Sequence, residues 1–412
     1  MGTHNSPLVR KRFLSFGRSR RIISFLALLV ICFLWILSKK LPKKIQGILQ
    51  KKALQEEEIL LENALNNGWI SNSEILDFTN NANSSSQLQQ SDENPYVPYS
   101  PSLTEYPLNL LQNVTSPILP SDVLYLWHIP KAAGSTVKHV MMKCFHLTRA
   151  EMKQVPESFT LVKGVLNIDT STIAGIYRAK KMGLVDSNFV DVVESSYLHE
   201  GAALFTDEHK GRLFTVMRHP VDMAISLFYY LGVAKWERNY HPELMNMTLL
   251  DYIQSNQTDL RVDNWMTRYL SRRIKGPLDQ QHFQLAKDIL KAKCLIGMSE
   301  NMTESMNRLA TYAGLGYSTK TFNNFSTENR TTWSECVEEY NKNRVNKHKH
   351  QTFNPGSIEW DLLAEENKFD MELFSFAKKL WSEQGSILKE KEEIKQNQWN
   401  YRPKPPEGIP ER

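Results

Sequence analysis

The densest stretch of usable chemistry in the chain is HIPKAAGSTV, residues 128–137. Lys131 stands four residues before Ser135, Gly134 lets a backbone approach a bound anion, and Ser135 and Thr136 supply hydroxyls where a helix would begin. The first turn of a helix has unpaired N–H donors and positive partial charge, so this loop suits a terminal phosphate-like group. A plain strand-to-helix connection capped by Ser135 is the structural alternative, and the lysine favours the anion site. A second constellation is RLFTVMRHPVDMAISLFYYL, residues 212–231, in which an apolar run ends at Arg218 and Ser226 follows eight residues later. An arginine at the carboxyl end of a parallel strand can fork onto a phosphate, and a serine two helical turns on can reach another oxygen. Two such sites on one sheet imply a ligand with two separated phosphate-like groups. Between them, SSYLHEGAAL places His199 and Glu200 just past an apolar run, where either can serve as a general base.

Such residues need a scaffold whose strand ends converge. Apolar runs at 123–129, 160–165, 189–194, 212–217 and 294–299 predict strands. Helical periods at 135–147, 173–183, 221–236, 260–272, 281–293, 302–313 and 357–383, the last broken near Asn367, separate or follow most of them. This alternation predicts an α/β fold, a P-loop-like single domain over 121–386 with a central, mostly parallel sheet flanked by helices. The spacing G-x-x-x-x-G-K-[ST] is absent, so an ordinary nucleotide triphosphatase loop is excluded.

The 412 residues carry a formal charge of +5, and six of the positive residues fall within the first 21. That distribution speaks against a nucleic-acid partner and for a basic cytoplasmic tail, 1–21, flanking a membrane segment. IISFLALLVICFLWIL, within 22–38, is uncharged and proline-free and predicts a transmembrane signal-anchor helix, short enough for the early secretory pathway. Residues 39–120, increasingly rich in Asn, Ser, Gln and Pro, predict a flexible stem, and 387–412 a disordered tail. The orientation puts everything beyond 38 in the secretory lumen, where the sequons at Asn83, Asn113, Asn246, Asn256, Asn301, Asn324 and Asn329 are candidate glycosylation sites. Cys144, Cys294 and Cys336 fall in this part, enough for one intrachain disulfide, and no C-x-x-C pair marks a metal site.

HIPKAAGST resembles the 5′-phosphosulfate loop, and RHPVDMAISLFYY the 3′-phosphate motif, of the Golgi membrane sulfotransferases that use 3′-phosphoadenylyl sulfate (PAPS) and modify carbohydrates. LIGMSENMTESMNRL is similar to that family's late strand and helix, and NKFDMELFSFAKKLW to its closing Asn-x-x-Asp helix, so the resemblance spans roughly 123–383. Where family members often have Thr-Gly, this chain has Ala132 and Ala133. The resemblance implies that Lys131, Ala132, Ala133, Gly134, Ser135 and Thr136 hold the 5′-phosphosulfate and that Arg218 and Ser226 hold the 3′-phosphate. It also implies sulfuryl transfer to a glycan hydroxyl without a metal, with Lys131 facing the leaving phosphate. Related enzymes use His or Glu as base, which points to His199 first and Glu200 second. Arg268 and Arg272, in the basic segment 261–273, are candidates to meet an acidic glycan, and a second basic cluster lies at 344–353. A lumenal ATP-dependent kinase and a non-catalytic glycan-binding protein on the same fold are the competing readings. The chain has no D-F-G and no D-x-D triplet to hold magnesium for the kinase.

Overall fold

A computed structural model describes residues 108–151, 158–235, 237, 240–255, 262–315, 333–342 and 351–395, all within the compact unit Ala82–Arg412. The strands are β1 (Val123–Trp127), β2 (Arg149–Ala150), β3 (Leu161–Val162), β4 (Val165–Leu166), β5 (Val192–Ser195), β6 (Gly211–Met217) and β7 (Leu295–Met298). The helices are α1 (Gly134–Lys143), α2 (Ile173–Lys181), α3 (Leu198–Ala202), α4 (Pro220–Val233), α5 (Leu249–Gln254), α6 (Trp265–Ser271), α7 (Gln280–Lys293), α8 (Met302–Tyr312), α9 (Trp333–Lys342), α10 (Ile358–Glu366) and α11 (Lys368–Lys395).

The seven strands form one sheet in the order β3-β4-β2-β5-β1-β6-β7, parallel throughout except for β3 against β4. VLYLW, the whole of β1, is buried at every position, as a strand covered on both faces must be. The two-residue period sorts its side chains between two cores. Tyr125 and Trp127 pack with Leu213, Ile296 and residues of α2, α3, α6, α7 and α11. Leu124 and Leu126 pack with Phe214, Val216 and residues of α1, α8 and α9. A third apolar cluster joins α4, α5 and α10 through Val221, Phe228, Tyr252 and Leu363.

Most of the expected elements are present near their expected bounds, and the differences have physical causes. β2 and β4 are two residues each, too short to carry a period. α6 starts only at Trp265 because Asn264 adopts a left-handed φ of 48°. The long helix divides at Asn367 as expected, but α11 runs on to Lys395, well past 386. Leu, Lys and Glu favour helix there, and Leu388 is buried, so the start of the tail expected from 387 is helical.

Residues 108–120, expected as the end of the stem, belong to the domain. Leu108, Leu110 and Leu111 are buried, and Leu111 bridges in parallel to Gly211. Arg212, 1% exposed, donates to Asn113 and Ser116 carbonyls at 3.3 and 3.0 Å and pairs with Asp122 at 2.6 Å. The expected membrane segment, 22–38, lies outside the described residues, and among those described no helix is long and apolar enough to cross a membrane.

Candidate active site

β5, β1 and β6 are parallel neighbours, with Trp127 level with Ser195 and Leu126 level with Phe214. The chain leaves β1 for the β2 side, returns at β5 and crosses to β6 on the other side of β1. That reversal is where open α/β sheets take their ligands, outside the carboxyl ends of the strands. Three segments emerge there: the Lys131 loop after β1, α3 with His199 and Glu200 after β5, and Arg218 after β6. Hydrogen bonds tie them together. Arg218 Nη1 donates to the Lys131 carbonyl at 3.0 Å, Ser196 Oγ to the His128 carbonyl at 2.8 Å, and the Tyr125 hydroxyl to the Leu198 carbonyl at 3.0 Å.

The loop itself is conformationally unusual. Lys131 and Ala133, neither of them glycine, have φ of 61° and 69°, a left-handed geometry that costs L-residues about 1 kcal/mol each. α1 starts at Gly134, and Ala133 at its N-cap provides no side-chain cap. Ser135 is therefore inside the first turn, and the alternative of a Ser135-capped connection is overturned. The first turn remains suited to an anion. Gly134 has a duty besides the one expected of it: a Cβ there would lie 2.3 Å from His128 Nε2. The glycine makes room for an imidazole. Burial, helped by the nearby Lys138 ammonium, pulls the His128 pKa down to about 3, so this ring is neutral. The Lys131 ammonium lies 3.5 Å above the centroid of the Tyr230 ring. Burial, followed by repulsion from Arg218, lowers its pKa to about 8, with Glu237 opposing. Ser226 is half-buried on α4, eight residues beyond Arg218, and Thr136 is buried on α1.

A partly buried charge cluster that joins α1, β2 and β5 escaped the sequence reading. Lys138 of α1 pairs with Glu194 of β5 at 2.5 Å and also with Glu151. Arg149 of β2 completes the cluster, 3.0 Å from Glu194 and 2.7 Å from Glu151. Burial lowers the Lys138 pKa, but the two acids outweigh it and the net shift is upward. The helix that follows the lysine loop is thus fastened to the strand that precedes α3. An acid inside the apolar run FVDVVE was the available signal for Glu194; Lys138, on an amphipathic helix, had none.

The remaining sequence candidates divide. His199 is 2% exposed, and its Nε2 lies 2.8 Å from the Leu270 carbonyl oxygen, which can only accept. That nitrogen carries the proton. Glu200 keeps a carboxylate at the edge of the site, 19% exposed and 3.3 Å from Arg272. Arg272 thus faces the candidate base. Arg268, expected to meet an acidic glycan, is buried and donates to both carboxylate oxygens of Asp263 at 2.9 and 2.8 Å and to the Arg273 and Gly276 carbonyls. Of the second basic cluster, residues 344–350 lie outside the described residues.

Cys144, the C-cap of α1, is disulfide-bonded to Cys336 of α9, with Cα atoms 5.9 Å apart, while Cys294 is a buried thiol. Asn113, Asn246 and Asn301 are exposed, and the sequons at Asn83, Asn256, Asn324 and Asn329 lie outside the described residues. Among the described residues no group of His, Cys, Asp and Glu is arranged to hold a metal ion. Comparison with curated proteins finds no match. The family model described as the sulfotransferase family matches residues 117–377, a span that contains the lysine loop, α3, Arg218, α10 and the first ten residues of α11. The chain belongs to the sulfotransferase family.

Proposed function

We propose that this sulfotransferase moves a sulfuryl group from PAPS to a hydroxyl of a glycan in the secretory lumen, anchored in the Golgi membrane by residues 22–38 as a single-pass type II protein. The observation that carries the reading is the joining of two cationic sites at adjacent strand ends, with Arg218 donating to the Lys131 carbonyl at 3.0 Å. PAPS presents two separated anionic groups, and the residues fit it. The uncapped first turn of α1 and Lys131 suit the 5′-phosphosulfate, and Arg218 with Ser226 suits the 3′-phosphate. When bound, the donor supplies an activated sulfuryl group whose leaving phosphate gains charge. Lys131 stabilises that charge from a partly buried position, where a cation acts more strongly than in water.

A glycan hydroxyl must lose its proton to attack. Glu200 offers a partly exposed carboxylate for this, oriented by Arg272, and His199 fixes α3 against Leu270. The lumenal placement is supported by the Cys144–Cys336 disulfide, since such bonds persist in oxidising compartments, and by the exposure of three sequons.

The test is thermal unfolding of the full chain in detergent with 3′,5′-adenosine bisphosphate, with ATP and magnesium, and with neither. Saturation at a hundred times the dissociation constant raises stability by about 2.7 kcal/mol. A rise with the bisphosphate alone, lost in Lys131→Ala and Arg218→Ala, is expected. A rise confined to ATP and magnesium would replace the sulfotransferase reading with the kinase. In turnover assays on sulfatable glycans, Glu200→Gln is expected to lower kcat by about 10²–10⁴. Retained activity in Glu200→Gln alongside loss in His199→Asn returns the base to His199.

A further inference from the structure

The Lys131 side chain occupies a seat that donor binding does not explain. Its ammonium is centred 3.5 Å over the face of Tyr230, the position in which a ring quadrupole attracts a cation. Tyr230 stands on α4 one turn past Ser226, and its hydroxyl donates to Glu237 Oε1 at 2.6 Å, which steadies the ring. From the other side, the left-handed φ of Lys131 and the Arg218 bond to its carbonyl fix the backbone from which the side chain starts. The charged and titratable groups around the ammonium are Arg218, which repels it, Glu237, which attracts it, and the neutral His128. Burial and Arg218 both favour the uncharged amine, so a local group that prefers the ammonium has a task here.

We propose that Tyr230 is the resting seat of the Lys131 ammonium, a positioning residue whose ring face keeps the cation charged beside Arg218 until the anionic end of the donor draws it away. The role of Lys131 after release rests on the donor reading above; the seat itself does not. A ring face stabilises the ammonium and not the amine, so removing the ring lowers the Lys131 pKa. From a starting value of about 8, that loss moves uncharged lysine into the neutral range.

Competitive acetylation of the donor-free full chain across pH 6–10, with mass-spectrometric readout of Lys131 and of the exposed Lys342 as control, measures this directly. Tyr230→Phe keeps the ring and is expected to leave the Lys131 titration within a few tenths of a unit of the unsubstituted chain. Tyr230→Leu is expected to lower it by about half a pH unit, with Lys342 unmoved. Tyr230→Met serves as a second ringless variant should the leucine variant not fold. An unchanged Lys131 titration in the ringless variants overturns the proposal, as does an equal fall in Tyr230→Phe, which would assign the effect to the hydroxyl and Glu237. If the unsubstituted chain is not stabilised by 3′,5′-adenosine bisphosphate, the donor reading fails while the labelling result still decides the seat. Where turnover is measurable, the alkaline limb of kcat/KM for the donor is expected to move to lower pH by the same amount in Tyr230→Leu.

Discussion

At Gly134, the first residue of α1, there is no room for a side chain. A glycine beside a lysine and two hydroxyls suggests close approach of an anion, but the nearest obstacle to a side chain is the His128 ring, with Nε2 at 2.3 Å and Cδ2 at 2.5 Å from a built Cβ. The constraint comes from the strand end six residues earlier, across a turn whose shape no local pattern encodes. Gly134→Ala should therefore destabilise the fold by overpacking, by about 1–3 kcal/mol, and most of that loss should disappear in a His128→Ala background, where the space is vacated. Urea unfolding of the two single variants and the double variant checks this. An undiminished cost of Gly134→Ala without His128 would return the glycine to the anion-binding role. Lys131 and Arg218, by contrast, could be read directly, because a cation immediately after an apolar strand has few other reasons to be there.

Among the elements, α6 is secured by a device that pattern reading could not reach. Its own N-cap residue, Asn264, makes no side-chain cap to α6; its Oδ1 accepts instead from the Phe369 and Asp370 amides at the start of α11. Asp370 reciprocates, accepting from the Met266 and Thr267 amides at 2.8 Å each and from the Thr267 hydroxyl at 2.7 Å. Each helix caps the other across about a hundred residues of chain, so the closing Asn-x-x-Asp segment was visible as a motif but its partner was not. Asp370 is buried, and burial raises its pKa to about 6 from the ordinary 3.8, against the pull of the Thr267 and Met266 donors. The native state then binds more protons than the unfolded chain between those values, so this group makes stability fall as pH rises through that window. Asp370→Asn, which leaves a buried donor without its acceptor, is expected to cost about 1–3 kcal/mol, with a deficit larger near pH 4 than near pH 7. Unfolding midpoints at the two pH values measure it, and a deficit that grows with pH would mean the three donors outweigh burial and hold the carboxylate charged.

At the scale of the whole molecule, the sheet class was legible because β1 and β7 are continuous apolar runs and β6 is apolar but for Arg212 and Thr215, while the domain's edges were not. Composition marks 108–120 as stem, yet burial of Leu108, Leu110 and Leu111 and the bonds from Arg212 make it part of the domain, contacts that depend on the chain ahead being folded. The cysteines show the same limit. Three thiols allow one bridge, but only the packing of α9 against α1, where the Tyr340 and His139 rings lie 6.1 Å apart, selects Cys144 and Cys336 over the buried Cys294. The bridge closes a loop across a sequence separation of 192, and for so long a loop the chain-entropy account gives about 5 kcal/mol of stabilisation as an upper figure. It also holds α9 to the helix that carries the lysine loop's first turn. The pair of substitutions Cys144→Ser and Cys336→Ser is therefore expected to lower the unfolding midpoint in urea substantially, and Cys294→Ser only slightly, since it exchanges one small buried group for another. A peptide joined through Cys144 and Cys336 should appear in a non-reducing digest of the chain purified from secretory cells. Free thiols at both positions in that digest would remove the strongest structural support for a lumenal enzyme while leaving the sulfotransferase family assignment where it stands.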